Sequence, residues 1–164
     1  MFKQKDFAFS VIFCIFAPKY IYNPIEAMKK FMFLALLAIM TLGVRAQEVV
    51  YLTTAQFKAQ VFDYTQNATW KYQGKLPCVI DFYTTWCGPC KRLAPIMEEL
   101  AVQYQGKVIF YKVYTEREPE LAQLFRIQSI PTLLFCPMNS SPQIAHGLLP
   151  KETLQQAIEE VVLK

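Results

Sequence analysis

Apolar positions in residues 47–164 follow two rhythms. Short, nearly continuous apolar runs alternate with longer stretches in which apolar residues recur every three to four positions. Strands are predicted over 49–52, 78–83, 108–114, 132–136 and 143–146. The run at 108–114 is apolar throughout apart from Lys112, as expected of an interior strand. Helices are predicted between them. One begins at Thr53 or Thr54, either of which can cap it, and carries Phe57, Val61 and Phe62 on one side. A second runs from Cys87 to about residue 105, with Leu93, Met97, Leu100 and Ala101 on one face and Gly106 as its stop. A third spans 118–125 with Pro119 early in it, and a last one presents Leu154, Ala157, Ile158 and Val161. Residues 67–75 read as a loop holding Trp70 and Tyr72, and Pro137 and Pro142 bracket a turn. Strands and helices that alternate, then close with a hairpin and a helix, predict an α/β domain: a central mixed β-sheet flanked by helices on both faces.

The N-terminal 46 residues follow neither rhythm. Met28-Lys29-Lys30 precedes an apolar run over 31–44, and small residues lead to a cut after Ala46. That run is 14 residues long, short of the ~20 that span a bilayer. Residues 28–46 are therefore read as a signal peptide, with an uncleaved membrane anchor as the alternative. Met28 is read as the true start and residues 1–27 as a non-native extension. The expected mature domain is 47–164, exported and periplasmic. The leader also accounts for the charge. The chain is formally +4, but residues 47–164 hold eleven basic and eleven acidic side chains. A neutral domain has no electrostatic footprint for nucleic acid.

The chemistry concentrates in Trp86-Cys87-Gly88-Pro89-Cys90, between a predicted strand and a predicted helix. Two thiols at this spacing can close and reopen a small disulfide ring. Only the thiolate attacks a disulfide, and a helix N-terminus favours it through unpaired N–H groups and the macrodipole. Cys87 is thus expected to be the exposed nucleophile, and Cys90, one turn in, the more buried resolving thiol. Gly88 and Pro89 are read as keeping the turn tight. A zinc site needs four ligands, whereas the chain offers one histidine, His146, no second Cys-x-x-Cys, and only isolated cysteines besides. A purely structural disulfide closing so short a loop removes little chain entropy. No metal and no cofactor are expected, because the two sulfurs are themselves the redox group.

The stretch from Asp81 through Lys91 resembles the active-site signature of thioredoxins, and the resemblance extends from about Val49 to the C-terminus. It implies the thioredoxin fold. Ile130-Pro131-Thr132 matches the family's cis-proline loop, Pro95 the proline of the active-site helix, and Gly147 the glycine after the last strand. It implies that Asp81 is a buried acid beneath the cysteines that accepts a thiol proton, with Lys112 near it. Read without the family, Asp81 is either that acid or a strand-end carboxylate reaching solvent. The resemblance further implies that Trp86, Ile130, Pro131 and Gly147 contact the substrate. Cys78 and Cys136 would be neighbours on antiparallel strands, either as buried thiols or as a second disulfide.

The sequence departs from the family pattern at a longer 63–76 segment, at Tyr83 where a tryptophan is common, and at Ser129 in place of a glycine. Gly88-Pro89 resembles the reducing members, so the expected activity is reduction of disulfides in exported client proteins. The expected form is a monomer recharged by a membrane thiol donor. An extracytoplasmic oxidase or isomerase, and a redox-inert binding module, are the alternatives.

Overall fold

The structure, a computed structural model, describes residues 48–164 together with residues 25, 28, 29, 32 and 33. Contacts divide the chain into two units, 1–44 and 45–164. The five described residues of the first unit are helical. Residues 28, 29, 32 and 33 are the described part of the expected signal peptide; the rest of it and its cleavage position lie outside the described residues. Among the described residues, no helix is long and apolar enough to cross a membrane.

The second unit is built on a five-stranded sheet. Its strands are β1 (Val50–Tyr51), β2 (Cys78–Tyr83), β3 (Ile109–Tyr114), β4 (Thr132–Cys136) and β5 (Gln143–His146), in the spatial order β1-β3-β2-β4-β5. β1 and β2 run parallel to β3, while β4 lies antiparallel to β2 and to β5. The sheet is therefore mixed. β2 sits at its centre and is buried over its first five residues, apolar except for Asp81, as expected of an interior strand.

The two faces divide the core. Cys78, Ile80 and Phe82 join Phe57 of α1 (Thr54–Gln60), its C-cap Val61, and Leu121 of α3 (Pro119–Leu124). Val79 joins the opposite cluster, with Leu93, Met97 and Leu100 of α2 (Gly88–Gln103) and Leu154 of α4 (Lys151–Ala157). Side chains alternate along a strand, so Asp81 faces the α2 side with Val79. Its register partners agree with that placement: Asp81 pairs with Leu133, which belongs to the α2-side cluster.

Local chemistry sets the helix ends. Thr53 caps α1 in a capping box with Gln56. The long 63–76 segment is anchored by aromatic packing, with Trp70 4.7 Å from Phe62 and 6.4 Å from Phe125, ring centre to ring centre. At the C-terminus, α4 passes into a π-helical turn over Ile158–Val162. An i→i+5 turn advances each residue by less than an α turn does. It rotates Val162 into the core beside Leu154 and Ile158, and leaves Val161, the residue expected there, only partly buried.

Candidate active site

The register explains why distant segments converge. Phe82 of β2 lies opposite Thr132 of β4, Thr132 lies opposite His146 of β5, and Tyr83 lies beside Tyr114 of β3. The chain leaving β2 toward Cys87, the Pro131 segment entering β4, Gly147 after β5 and Glu116 after β3 all emerge at one edge of the sheet.

Cys87 is the N-cap of α2, with extended backbone, and its sulfur accepts a hydrogen bond from the Cys90 N–H at 3.1 Å. Cys87 and Cys90 form a disulfide, S–S 2.10 Å. Pro89 occupies the first turn, where no N–H is needed. A sulfur at this cap faces the orphan N–H groups and the positive end of a 16-residue helix, which favours negative charge on it. The expected difference in exposure between the two thiols is absent in this oxidised form, since Cys87 and Cys90 are each 3% exposed. Closing the ring tucks the Cys87 sulfur against the helix N-terminus beside Cys90. The turn also does not itself require glycine at Gly88: its φ is not positive, and an added Cβ would meet nothing within 4 Å. A side chain at position 88 would meet open space.

Asp81 is 0% exposed, and neither carboxylate oxygen has a hydrogen-bond partner among the described residues. Burial pushes its carboxyl up to about 7, against a downward pull from the Lys112 charge. Lys112 is its register neighbour on β3, yet no ion pair forms between them. The Lys112 Nζ instead stands 4.8 Å from the ring centre of Tyr83. Tyr83 belongs to an aromatic row, with Tyr51 at 6.3 Å and Tyr114 at 5.5 Å. A ring that holds the ammonium away from Asp81 helps to keep the acid's proton affinity high. Replacing Tyr83 with leucine should release Lys112 toward Asp81 and move the Asp81 titration down, while Tyr83→Phe should leave it in place. Carbon-13 NMR titration of the Asp81 carboxyl reads this directly, and an unmoved titration in Tyr83→Leu rejects the role of the ring.

Ile130-Pro131 is a cis peptide bond. The Pro131 carbonyl accepts from the Gly147 N–H at 2.8 Å, and Gly147 has φ +84°, a conformation suited to glycine. The Thr132 hydroxyl donates to the Ser129 carbonyl at 2.7 Å, and His146 Nδ1 lies 3.0 Å from the Thr132 hydroxyl oxygen. These bonds tie the Pro131 loop to β5. Among the described residues, no internal hydrogen bond engages the Ile130 main chain.

Trp86 is 68% exposed, and its Nε1 donates to Glu116 Oε1 at 2.6 Å. Tyr114 donates its hydroxyl to the other Glu116 oxygen, and the two donors hold that carboxyl below its usual range. Sequence reasoning passed over Glu116 and Tyr114. The only available sign was position: Glu116 follows β3 by two residues, as Trp86 follows β2 by three. Cys78 and Cys136, opposite one another in the β2–β4 register, are buried free thiols. Burial and the neighbouring Cys78 push the Cys136 thiol well above its ordinary range. Among the described residues, no cluster of three or more metal-ligating side chains occurs.

A family model described as Thioredoxin matches residues 48–160. The chain is 39% identical over 111 residues to a thioredoxin of Borreliella burgdorferi, covering 68% of this chain and 95% of that protein. It is 36% identical over 108 residues to thioredoxin 1 of Nostoc sp., covering 66% and 92%. Among solved structures, chloroplastic thioredoxin z superposes with a TM-score of 0.59 over 71% of this chain and 96% of that one. At 24% identity that likeness shows the fold alone.

Proposed function

Because this chain belongs to the thioredoxin family of disulfide reductases, we propose that it reduces disulfides of exported proteins through Cys87 and Cys90. The observation that carries this reading is the disulfide itself, seated with Cys87 as the cap of α2 and its sulfur accepting from the Cys90 N–H.

In the reaction, reduced Cys87 attacks one sulfur of the client disulfide as a thiolate. A Cys87–client mixed disulfide forms, and the other client sulfur leaves and takes up a proton. Cys90 then gives its proton to the Asp81 carboxylate and attacks the Cys87 sulfur. This expels the second client thiolate and closes the Cys87–Cys90 bond. Two electrons pass to the client, and the enzyme ends in the state seen in this structure. A base titrating near neutrality suits this step, because it accepts a thiol proton without holding it too weakly or too tightly. Lys112 tempers that proton affinity. Pro89 shapes the helix start, and Gly88 admits the client.

Client docking falls to Trp86, Ile130, Pro131 and Gly147. The free main chain of Ile130 can pair strand-like with an extended client segment beside the disulfide. Trp86, fixed by Glu116, supplies an aromatic wall. The export reading rests on residues 28–46. An exported reductase needs a donor dithiol, which becomes oxidised as Cys87–Cys90 is reopened. A membrane thiol carrier is the class of partner that can supply it on the far side of the membrane.

The test is insulin-disulfide reduction by the purified chain with dithiothreitol, together with the reduction potential of Cys87–Cys90. The expected result is turnover well above dithiothreitol alone, with a potential at the reducing end of the family. A strongly oxidising potential assigns the oxidase or isomerase role instead, and no turnover leaves only a binding module.

A further inference from the structure

Helix α3 ends in a pattern that forces its next residue into left-handed backbone. Ile127 N donates to the Ala122 carbonyl at 2.8 Å and Arg126 N to the Gln123 carbonyl at 3.0 Å, the paired closure of a Schellman motif. The enclosed residue is usually glycine, because a Cβ crowds the neighbouring carbonyl in that conformation. Here it is Arg126, with φ +50°, the one non-glycine residue of positive φ among those described. A long cationic side chain in a place that favours glycine marks a candidate for function.

Its surroundings name the function. A hollow of about 350 Å³ lies between Trp86 and Ile130. A second, of about 410 Å³, lies beside Arg126. They share Thr115, Ala122, Ile127 and Gln128, so the two adjoin as one trough leading from Trp86 and Ile130 to Arg126. Glu116 and Arg126 are the charged residues lining it. The Glu116 carboxylate already accepts from Trp86 and Tyr114. Arg126 is exposed, and among the described residues no carboxylate lies within ion-pair distance of it. A client segment seated on Ile130 and continuing along the trough meets an unpaired guanidinium.

We propose that Arg126 is a specificity-determining residue, selecting clients that carry an acidic side chain a few residues from the reducible disulfide. This rests on the reductase reading and adds to it which clients are preferred. A guanidinium offers two parallel N–H donors to a carboxylate, and a docked client excludes water that would otherwise weaken the pair.

The experiment measures kcat/KM of the purified chain on a series of otherwise identical disulfide peptides. Glu or Lys is walked through the positions on either side of the cysteine. At one position the Glu peptide should be preferred over the Lys peptide about tenfold at low salt, and less at high salt. Arg126→Gln should bring that ratio close to one, while Arg126→Lys should keep part of it. Arg126→Gly should lose the preference while its melting temperature rises by a few degrees, since glycine relaxes the left-handed position. That rise separates lost recognition from damaged folding. The proposal is overturned if the wild-type chain shows no Glu preference at any position, or if the preference survives in Arg126→Gln. A chain that reduces none of the peptides overturns the reductase reading itself, and this proposal with it.

Discussion

Replacing Cys90 with serine should stop turnover and leave client proteins covalently held on Cys87. Serine at the third helical position cannot attack the mixed disulfide, so the first displacement proceeds and the second does not. Cys87→Ser should capture nothing, because the attacking sulfur is gone. In insulin reduction both variants should fall by about three orders of magnitude or more, the loss expected when a covalent nucleophilic step is removed. Non-reducing electrophoresis with mass spectrometry separates them, since only Cys90→Ser gives adducts that dithiothreitol releases. Adducts on Cys90 in Cys87→Ser, matching those of the reciprocal variant, would reverse the assigned order of attack. The structure gives the order its physical basis: the Cys87 sulfur is the one that accepts the Cys90 N–H at the helix start.

Neutralising Asp81 should stabilise the oxidised protein strongly at pH 8 and hardly at all near pH 3.5. The carboxyl titrates near 3.8 in an unfolded chain and at about 7 in the fold. Its folded value is raised, so the folded state holds the proton more tightly. As pH rises from about 4 to about 7 the unfolded chain loses that proton first, and the wild-type protein loses stability. Below the unfolded value the penalty is absent, and above about 7 it is complete. A displacement of that size is worth about 4 kcal/mol. Asp81→Asn removes the charge while keeping the shape, so its advantage over the wild type should grow through this window and then level off. Urea unfolding of both proteins across pH 3.5–8.5 reads the difference, and a constant gap defeats the assignment. The same variant should slow release of the mixed disulfide about a hundredfold near neutrality, the scale of a lost general base. The site then keeps an acid that costs stability at neutral pH and, in the proposed reaction, serves the resolving step.

Much of the fold was legible because its signals are local. Thr53 with Gln56 writes a capping box within four residues, and the spacing of Leu93, Met97 and Leu100 states which face of α2 is buried. The π-helical turn at Ile158–Val162 was not legible, because α spacing nominates Val161 where the widened turn buries Val162. The candidate site was legible in its redox pair and in the neighbours matched through the family resemblance. Glu116 and Arg126 were not, since one acts on Trp86 across 30 positions and the other matters for what it faces.

The sequence alone determined the Cys-x-x-Cys pair, its place at a helix start and the alternation of strands and helices. Each follows from residues a few positions apart, through helix capping, side-chain period and the short reach of a disulfide ring. Only the tertiary structure decided the rest. Whether Asp81 meets solvent or a partner depends on the layers packed over β2, because desolvation is a property of everything around a charge. Whether Lys112 turns to Asp81 or to Tyr83 depends on cross-strand register. Whether the glycine-like position at Arg126 faces empty solvent or a trough leading to Trp86 and Ile130 depends on how α3 packs against the sheet. The redox pair was therefore written locally, while the surroundings of its proposed proton acceptor and of the cation proposed to choose its clients were set by contacts between strands and helices far apart in the chain.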